Sequence, residues 1–157
     1  MIISAADLKN IRKRLTGKRV VFADGTFDLF HLGHVASFKN LRNFGDVLII
    51  SVMSDEWVKS KKGGNRPVLS EIERLELVDS IRYVDYTILA KNGETNQRIP
   101  TSQLLRKLIP DVFVSIDPAW EKRRGEFKEI GIELHIIPRT HESSTTKLLE
   151  RIRRAWN

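Results

Sequence analysis

A short stretch near the N-terminus holds most of the residues whose types and spacing could do chemistry. It reads Asp24-Gly-Thr-Phe-Asp-Leu-Phe-His-Leu-Gly-His34 and directly follows an apolar run. His31 and His34 lie three residues apart at the start of a predicted helix, so both imidazoles project from one side of its first turn. Gly33 between them has no side chain, which lets a bulky anion approach the backbone. Because unpaired N–H groups and the helix dipole attract anions there, the stretch predicts a phosphate site.

The two histidines have two other interpretations. Histidines at a strand end are often hydrogen-bonded loop residues, and taken by themselves His31 and His34 leave that alternative open. A zinc site is the second alternative. The chain has no cysteine, and His135 and His141 are far away in sequence, so a tetrahedral set would require distant carboxylates. We therefore favour the phosphate site over zinc.

Apolar runs of strand length alternate with helical patterns along the whole chain. The run Val47-Leu-Ile-Ile-Ser-Val-Met53 is almost continuously apolar, which is typical of a strand buried on both faces of a parallel sheet. We expect an α/β, Rossmann-like, doubly wound parallel sheet of about five strands with helices on both faces. The predicted strands are residues 19–23, 47–53, 84–89, 111–115 and 133–137.

Helical periodicity and capping residues give the predicted helices. Residues 1–17 contain a short amphipathic helix with apolar residues at positions 8, 11 and 15; Ser4 and Asp7 form a capping pair and Gly17 stops the helix. Ser70, followed by Glu73, predicts the start of another helix. The predicted helices after the first are 34–44, 70–82, 101–108, 121–130 and 144–156.

The connection from residue 55 to residue 69 has charge and turn residues but no apolar period. We predict a loop there, and long loops in a compact domain are usually functional or mobile. It carries Lys59, Lys61 and Lys62. In open parallel sheets ligands bind outside the carboxyl ends of the strands, so this loop and the one after the first strand are expected to meet at the site.

Composition limits the class of protein and of partner. The chain has 157 residues, which fits a single domain over 1–157, and its 41% hydrophobic content excludes a disordered or collagen-like chain. The net charge of +7 requires a partner of opposite sign: nucleic acid, an anionic membrane or a phosphorylated ligand. No base-reading motif and no membrane-length apolar run is present in the sequence, so we expect phosphorylated ligands, no nucleic acid, no membrane and a cytoplasmic location.

The motif around the histidines resembles a known signature. Gly25-Thr26-Phe27-Asp28 followed by His31-Leu32-Gly33-His34 is similar to the His-x-Gly-His motif of the cytidylyltransferase-like nucleotidyltransferases. The match continues in order through Arg66-Pro67 and Glu73-Arg74, and the segment from Pro138 to Lys147 resembles the cytidylyltransferase sequence Arg-Thr-x-Gly-Ile-Ser-Thr-Thr. The resemblance covers about residues 19–150. It is closest to glycerol-3-phosphate cytidylyltransferases and heptose-phosphate adenylyltransferases.

That resemblance implies a reaction and roles for particular residues. A phosphate oxygen of a small substrate attacks the α-phosphorus of a nucleoside triphosphate and pyrophosphate leaves, with Mg²⁺ expected alongside the triphosphate. Family members are commonly homodimers, so we expect one here. The implied catalytic residues are His31, His34, Arg74 and a loop lysine, for which we name Lys61 although sequence spacing does not distinguish it from Lys59 or Lys62. The implied nucleotide-binding residues are Gly25, Thr26, Phe27, Gly33, Arg139, Thr140, Ser144, Thr145 and Thr146. The implied substrate-binding residues are Asp28, Asp117 and Trp120. Asp28 could orient substrate, hold Mg²⁺ or act as a local cap.

The two branches of the family leave the substrates open. The segment from Arg139 to Thr146 favours CTP, whereas the N-terminal helix and the lysine-glycine loop resemble the heptose branch. Ile116 puts a branched side chain where cytidylyltransferases have glycine. We predict transfer from a nucleoside triphosphate, CTP favoured, to a small phosphorylated alcohol such as glycerol 3-phosphate. The alternatives are a sugar (heptose) phosphate adenylyltransferase that uses ATP and a nucleotide-binding regulator without turnover.

Overall fold

Six parallel strands form one sheet in the computed structural model, which describes residues 1–90, 101–138 and 144–156. The strands are β1 (Ile2–Ile3), β2 (Val20–Gly25), β3 (Val47–Met53), β4 (Tyr86–Ala90), β5 (Val112–Ser115) and β6 (Glu133–Ile136). The helices in the same ranges are α1 (Leu8–Arg14), α2 (Leu32–Leu41), α3 (Asp55–Lys62), α4 (Glu71–Asp79), α5 (Thr101–Leu108), α6 (Arg124–Glu129) and α7 (Thr145–Trp156). Short 3₁₀ helices cover Arg42–Phe44 and Pro118–Arg123. None of the helices in the described ranges is long and apolar enough to cross a membrane.

The strand order places a crevice beside the central strand. The order across the sheet is β1-β4-β3-β2-β5-β6, so the chain moves outward from β2 to β4 on one side and then crosses to β5 on the other. β2 pairs with β3 from Val20↔Val47 onward and with β5 from Val21↔Val112 onward. The strand order therefore reverses between β2 and β5. In open α/β sheets, ligands bind at the carboxyl ends of the strands at such a reversal.

Alternate residues of the central strands enter two separate cores. Phe22 and Ile49 pack on one face of the sheet with Leu104 of α5, while Val21 and Leu48 pack on the other. The residues of β3 are all buried, as expected for a parallel strand with helices on both sides. The predicted α/β, doubly wound class is therefore confirmed.

The strand predictions need small corrections. The sheet has six strands rather than about five, because β1 is only two residues long and shows no readable pattern; it is held by pairing to β4, as in Ile2↔Thr87. β2 continues to Gly25, beyond the predicted end at residue 23. β4 begins at Tyr86 rather than at residue 84 and ends at Ala90.

The predicted loop over residues 55–69 is wrong in its first half. It begins as α3, whose N-cap Ser54 accepts a hydrogen bond from the Trp57 amide. Val58 is the only buried residue of this helix, so it has almost no apolar period from which to be recognised. The segment after it does run without regular structure up to the helix α4.

The other helices begin or end at different residues from those predicted. The Ser4–Asp7 pair forms, with the Ser4 amide 2.9 Å from Asp7 Oδ2, but α1 begins only at Leu8. Gly17 has a φ of +79°, which suits the predicted stop. The helix predicted over 34–44 begins at Leu32 and ends in a 3₁₀ turn, that over 70–82 ends at Asp79, and that over 121–130 is split into 3₁₀ and α segments.

Candidate active site

A cavity of about 660 Å³ opens at the carboxyl edge of the sheet. Its wall is made by the end of β2 and the loop after it, the starts of α2, α5 and α7, the end of α3 and the loop after β5. Many of the predicted site residues line this one space: Gly25, Thr26, Phe27, Asp28, His31, Gly33, His34, Asp117, Trp120, Ser144 and Thr145. Segments more than 100 residues apart in sequence therefore meet where the strand order predicts a ligand site.

The two histidines form a stacked pair at the start of α2. Their ring centroids are 3.9 Å apart. His31 Nδ1 accepts a hydrogen bond from the Gly33 amide at 3.1 Å, and His34 Nδ1 accepts one from the His31 amide at 3.4 Å. Because Nδ1 is the acceptor in each neutral ring, the proton of each ring lies on Nε2. The arrangement caps the helix and gives each imidazole a fixed N–H donor.

The loop between β2 and α2 is strained. Phe27 and Leu29 have φ angles of 56° and 44°, a left-handed conformation that costs non-glycine residues about 1 to 2 kcal/mol each. A Cβ on Gly25 would lie 2.6 Å from the Phe27 ring, so glycine is needed there to admit the ring. Such strain persists only where surrounding contacts enforce it.

Asp28 lies between the two strained residues and is almost fully buried. Its Oδ1 accepts hydrogen bonds from the amides of Val68 and Leu69 at 3.0 and 3.1 Å, and its Oδ2 accepts one from the Arg66 guanidinium at 3.1 Å. Burial alone would raise the pKa of Asp28, but the hydrogen bonds from Leu69, Val68 and Arg66 outweigh it, so the pKa is lowered from its usual value. In this structure the carboxylate is engaged with protein groups on both oxygens.

Arg74 is buried away from the cavity. Its guanidinium donates to the Thr26 carbonyl at 2.6 Å, the Leu69 carbonyl at 3.1 Å and Asp55 Oδ1 at 2.7 Å. Arg74, the predicted phosphate-binding arginine, thus binds the backbone of the loop after β2 at Thr26. Its side chain has no exposed surface in this conformation.

Lys62, rather than the predicted Lys61, reaches the cavity among the lysines of α3. Lys62 Nζ lies 3.2 Å from Thr26 Oγ1 and the residue lines the cavity wall. Lys61 is exposed and is not part of that wall. The sequence could not show which lysine faces the cavity, because the segment was predicted as a loop and the direction of a side chain follows from its position only within a helix or strand.

The loop after β5 forms the opposite wall. Asp117 caps the 3₁₀ helix by accepting a hydrogen bond from the Ala119 amide at 2.9 Å. Trp120 packs edge-on against Phe113, with ring centroids 5.1 Å apart, and the Arg123 guanidinium lies 5.4 Å from the centre of the Trp120 ring. Ile116 faces the cavity and is 49% exposed. Arg123 was missed because its place in the cavity wall depends on contacts with the rings of Trp120 and Phe127 and with Glu126.

Asp24 is a second residue that sequence reasoning missed. It lies near the end of β2 and lines the cavity, and its Oδ2 accepts a hydrogen bond from Thr101 Oγ1 at 2.6 Å. The pKa of Asp24 is raised to about 6. Burial is the main cause; the hydrogen bond from Thr101 works against it, and the charge of nearby Asp117 adds to it. Its position directly after an apolar strand and before the His31 motif was the available signal.

The start of α7 supplies hydroxyl groups on the side facing α2. Ser144 Oγ accepts a hydrogen bond from the Lys147 amide at 3.2 Å, and Thr145 Oγ1 donates to the Asp28 carbonyl at 2.8 Å. Thr146 is exposed and does not line the cavity. The predicted residues Arg139 and Thr140 lie outside the described residues. Within the described ranges, no group of three or more His, Asp or Glu side chains is arranged to hold a metal ion.

Comparison with known proteins agrees with this geometry. The family model described as Cytidylyltransferase-like matches residues 22–151. The chain belongs to the cytidylyltransferase-like family. The predicted family resemblance is confirmed.

Relatives of this cytidylyltransferase-like chain include longer proteins. The "Bifunctional protein HldE" of Nitratiruptor sp. is 34% identical over 92% of this chain and 29% of that protein. The protein of the same name from Helicobacter pylori is 29% identical over 96% of this chain and 31% of that protein. The chain therefore spans less than a third of these relatives.

Solved structures show the same fold. A lipopolysaccharide core biosynthesis protein from Thermoplasma volcanium superposes with a TM-score of 0.61 and 26% identity, covering 81% of this chain and 100% of that one. Pantothenate synthetase from Thermus thermophilus has a TM-score of 0.58 at 16% identity over 87% of this chain and 61% of that one, which shows a shared fold alone.

Proposed function

We propose that the protein transfers an adenylyl group from ATP to a sugar phosphate and releases pyrophosphate. The observation that carries the proposal is the His31–His34 pair, which faces the start of α7 across the cavity. The choice of ATP and a sugar rests on the relatives named HldE, on the neighbour that takes part in lipopolysaccharide core biosynthesis, and on the resemblance of the N-terminal segment to heptose-phosphate adenylyltransferases. It replaces the sequence-based preference for CTP and glycerol 3-phosphate.

The chemistry is a single displacement at phosphorus. A phosphate oxygen of the acceptor forms a bond to the α-phosphorus of ATP, and the bond from that phosphorus to the bridging oxygen breaks, so pyrophosphate leaves with the electron pair. The nucleophile is already an anion and no base is required; the barrier lies in bringing anions together and stabilising the crowded phosphorus.

The cavity has donors suited to that barrier. The Nε2–H groups of His31 and His34 and the amides at the start of α2 would contact the triphosphate, the start of α7 would contact it from the other side, and Lys62 would add a cation. Mg²⁺ in such sites is bound by one or two carboxylates together with substrate phosphates. Among the described residues, Asp24, Asp28 and Asp117 line the same cavity; both oxygens of Asp28 are engaged by other protein groups, so Asp24 and Asp117 would supply the carboxylates.

The test is pyrophosphate release by the purified protein with Mg²⁺. ATP and CTP are each combined with heptose 1-phosphate, other sugar phosphates, glycerol 3-phosphate and phosphocholine. Release with ATP and a sugar phosphate is the expected result. Release only with CTP and glycerol 3-phosphate would restore the sequence-based preference, nucleotide binding without release would favour a regulator, and failure to bind either nucleotide would contradict a nucleotidyltransferase.

A further inference from the structure

Three segments of the chain meet at Asp28. Its side chain binds the segment after α3 through Arg66, Val68 and Leu69, and its carbonyl accepts the hydroxyl of Thr145 at the start of α7. We infer that Asp28 is a positioning residue, which fixes the histidine pair relative to the start of α7 without touching the reacting atoms. The inference rests on the proposed function for its consequence in turnover.

The backbone around Asp28 explains why such a contact is needed. Phe27 and Leu29 on either side have positive φ angles of 56° and 44°. An extended or helical chain would be more stable locally, so the conformation that carries the chain from β2 into His31 must be enforced by long-range contacts. The bonds to Val68 and Leu69 span 40 and 41 residues of sequence and supply that enforcement.

The two carboxylate oxygens of Asp28 have different partners. Oδ1 accepts the amides of Leu29, Val68 and Leu69, whereas Oδ2 accepts the Arg66 guanidinium. The side chain of Asp28 is 4% exposed and that of Arg66 is 23% exposed, so water screens this ion pair only in part. Asn at position 28 would keep the Oδ1 acceptor and present an N–H group to Arg66.

A direct role makes a different prediction from a positioning role. If Asp28 held Mg²⁺ or substrate, its charge would act by itself, and removal of Arg66 would leave the carboxylate free to do so. If Asp28 positions the loop, the pair acts as one unit, and removing either partner has the same consequence. A double-mutant cycle separates the two because effects within one unit do not add.

The experiment compares Asp28→Asn, Arg66→Met and the double variant with the unaltered protein. We expect each single variant to lower kcat for pyrophosphate release about tenfold and the double variant to lower it about tenfold as well, since a small misplacement of reacting groups costs one to two orders of magnitude. The KM for nucleotide should change less than about threefold, because the phosphate donors themselves remain. Amide hydrogen exchange at Leu69 should accelerate in all three variants.

Asp85→Asn is the matched control. Asp85 also combines a backbone amide, that of Leu48 at 2.7 Å, with an arginine, Arg42, but it does not line the cavity. The change should lower stability and leave kcat unaltered.

Several outcomes would overturn the inference. A loss in Asp28→Asn about a hundredfold larger than in Arg66→Met, or losses that multiply in the double variant, would assign Asp28 a direct role; unchanged kcat in both single variants would remove any role in turnover. If the unaltered protein releases no pyrophosphate, the proposed function fails instead. Exchange then decides for Asp28: faster exchange of the Leu69 amide in Asp28→Asn supports the positioning role, and unchanged exchange overturns it.

Discussion

His34 makes one observed contact and has one proposed role, and a substitution can separate the two. Its Nδ1 accepts the His31 amide and so helps to start α2, while its Nε2–H is the donor proposed to contact phosphate. Asn at position 34 retains an acceptor for the amide but has no ring N–H. We expect His34→Asn to lower kcat about 100- to 1000-fold, as loss of a transition-state donor does, with little change in the far-ultraviolet circular dichroism.

The control for this change is His135→Asn, since His135 lies in β6 beside Glu133 and does not line the cavity. Its kcat should stay within about twofold of the unaltered protein, as for a surface change away from the site. Retention of most activity in His34→Asn would contradict the mechanism.

Asp24 makes stability depend on pH. The folded protein binds a proton at Asp24 with a pKa of about 6, whereas in the unfolded chain the group titrates near 3.8. Because the folded state then binds more protons than the unfolded state, this residue lowers the free energy of unfolding as pH rises from about 4 to about 6. The sign is the reverse of that for a salt-bridged carboxylate.

Asp24→Asn removes that titration and keeps an acceptor for Thr101. We expect the variant to be more stable than the unaltered protein by about 3 kcal/mol above pH 6, with the difference shrinking towards zero near pH 4. Urea unfolding at a series of pH values measures it. A difference that does not vary with pH would show that the carboxylate is not desolvated as the fold implies.

At the scale of elements, α3 decides which lysine faces the ligand. Lys62 is the lysine of this helix that lines the cavity, and Lys61 is one position away on the helix, about 100° around its axis. We expect Lys62→Met to raise the KM for nucleotide about tenfold, the effect of one lost charge contact, and Lys61→Met to leave it within about twofold. Steady-state kinetics of both variants test this. An equal rise of KM in the two variants would contradict the assignment of the ligand contact to Lys62.

Elements with strong patterns could be predicted from the sequence, and weak ones could not. The predicted bounds of β3 and α5 match the observed ones. β3 is buried on both faces of the sheet, so its residues are almost all apolar, and α5 packs by one face, so its apolar residues recur at helical spacing. α3 was missed because it buries only Val58, and β1 because two residues carry no period.

Within the site, sequence position predicted which loops would meet but not what each side chain does there. His31 and Gly33 lie at the cavity because the motif and the strand end are contiguous. The contacts of Asp28 and Arg74 join residues about 40 and 48 positions apart, and no local pattern records such partners. In this structure Asp28 and Arg74 bond to protein groups, and their roles as substrate and phosphate ligands stay predictions.

For the whole molecule, the net charge of +7 should act on ligand capture. A triphosphate is attracted by the summed field, and salt screens that field over about 10 Å at 0.1 M and about 3 Å at 1 M. We expect the affinity for ATP to fall about tenfold between about 0.05 M and 0.5 M salt, while that for uncharged adenosine changes little. Calorimetric titration at several salt concentrations measures both, and an equal fall for adenosine would point to a salt effect on the fold.

The attachment of α7 at one end has a thermodynamic consequence. Thr145 at its start bonds to Asp28, whereas residues 151–156 are all exposed. We expect a helix held in this way to keep rotational and bending freedom, which a triphosphate bound between α2 and α7, as proposed above, would remove. Binding must therefore give up conformational entropy, and its enthalpy must be correspondingly favourable. Discrimination between nucleotides then depends on how completely each one immobilises this helix as well as on the contacts each one makes.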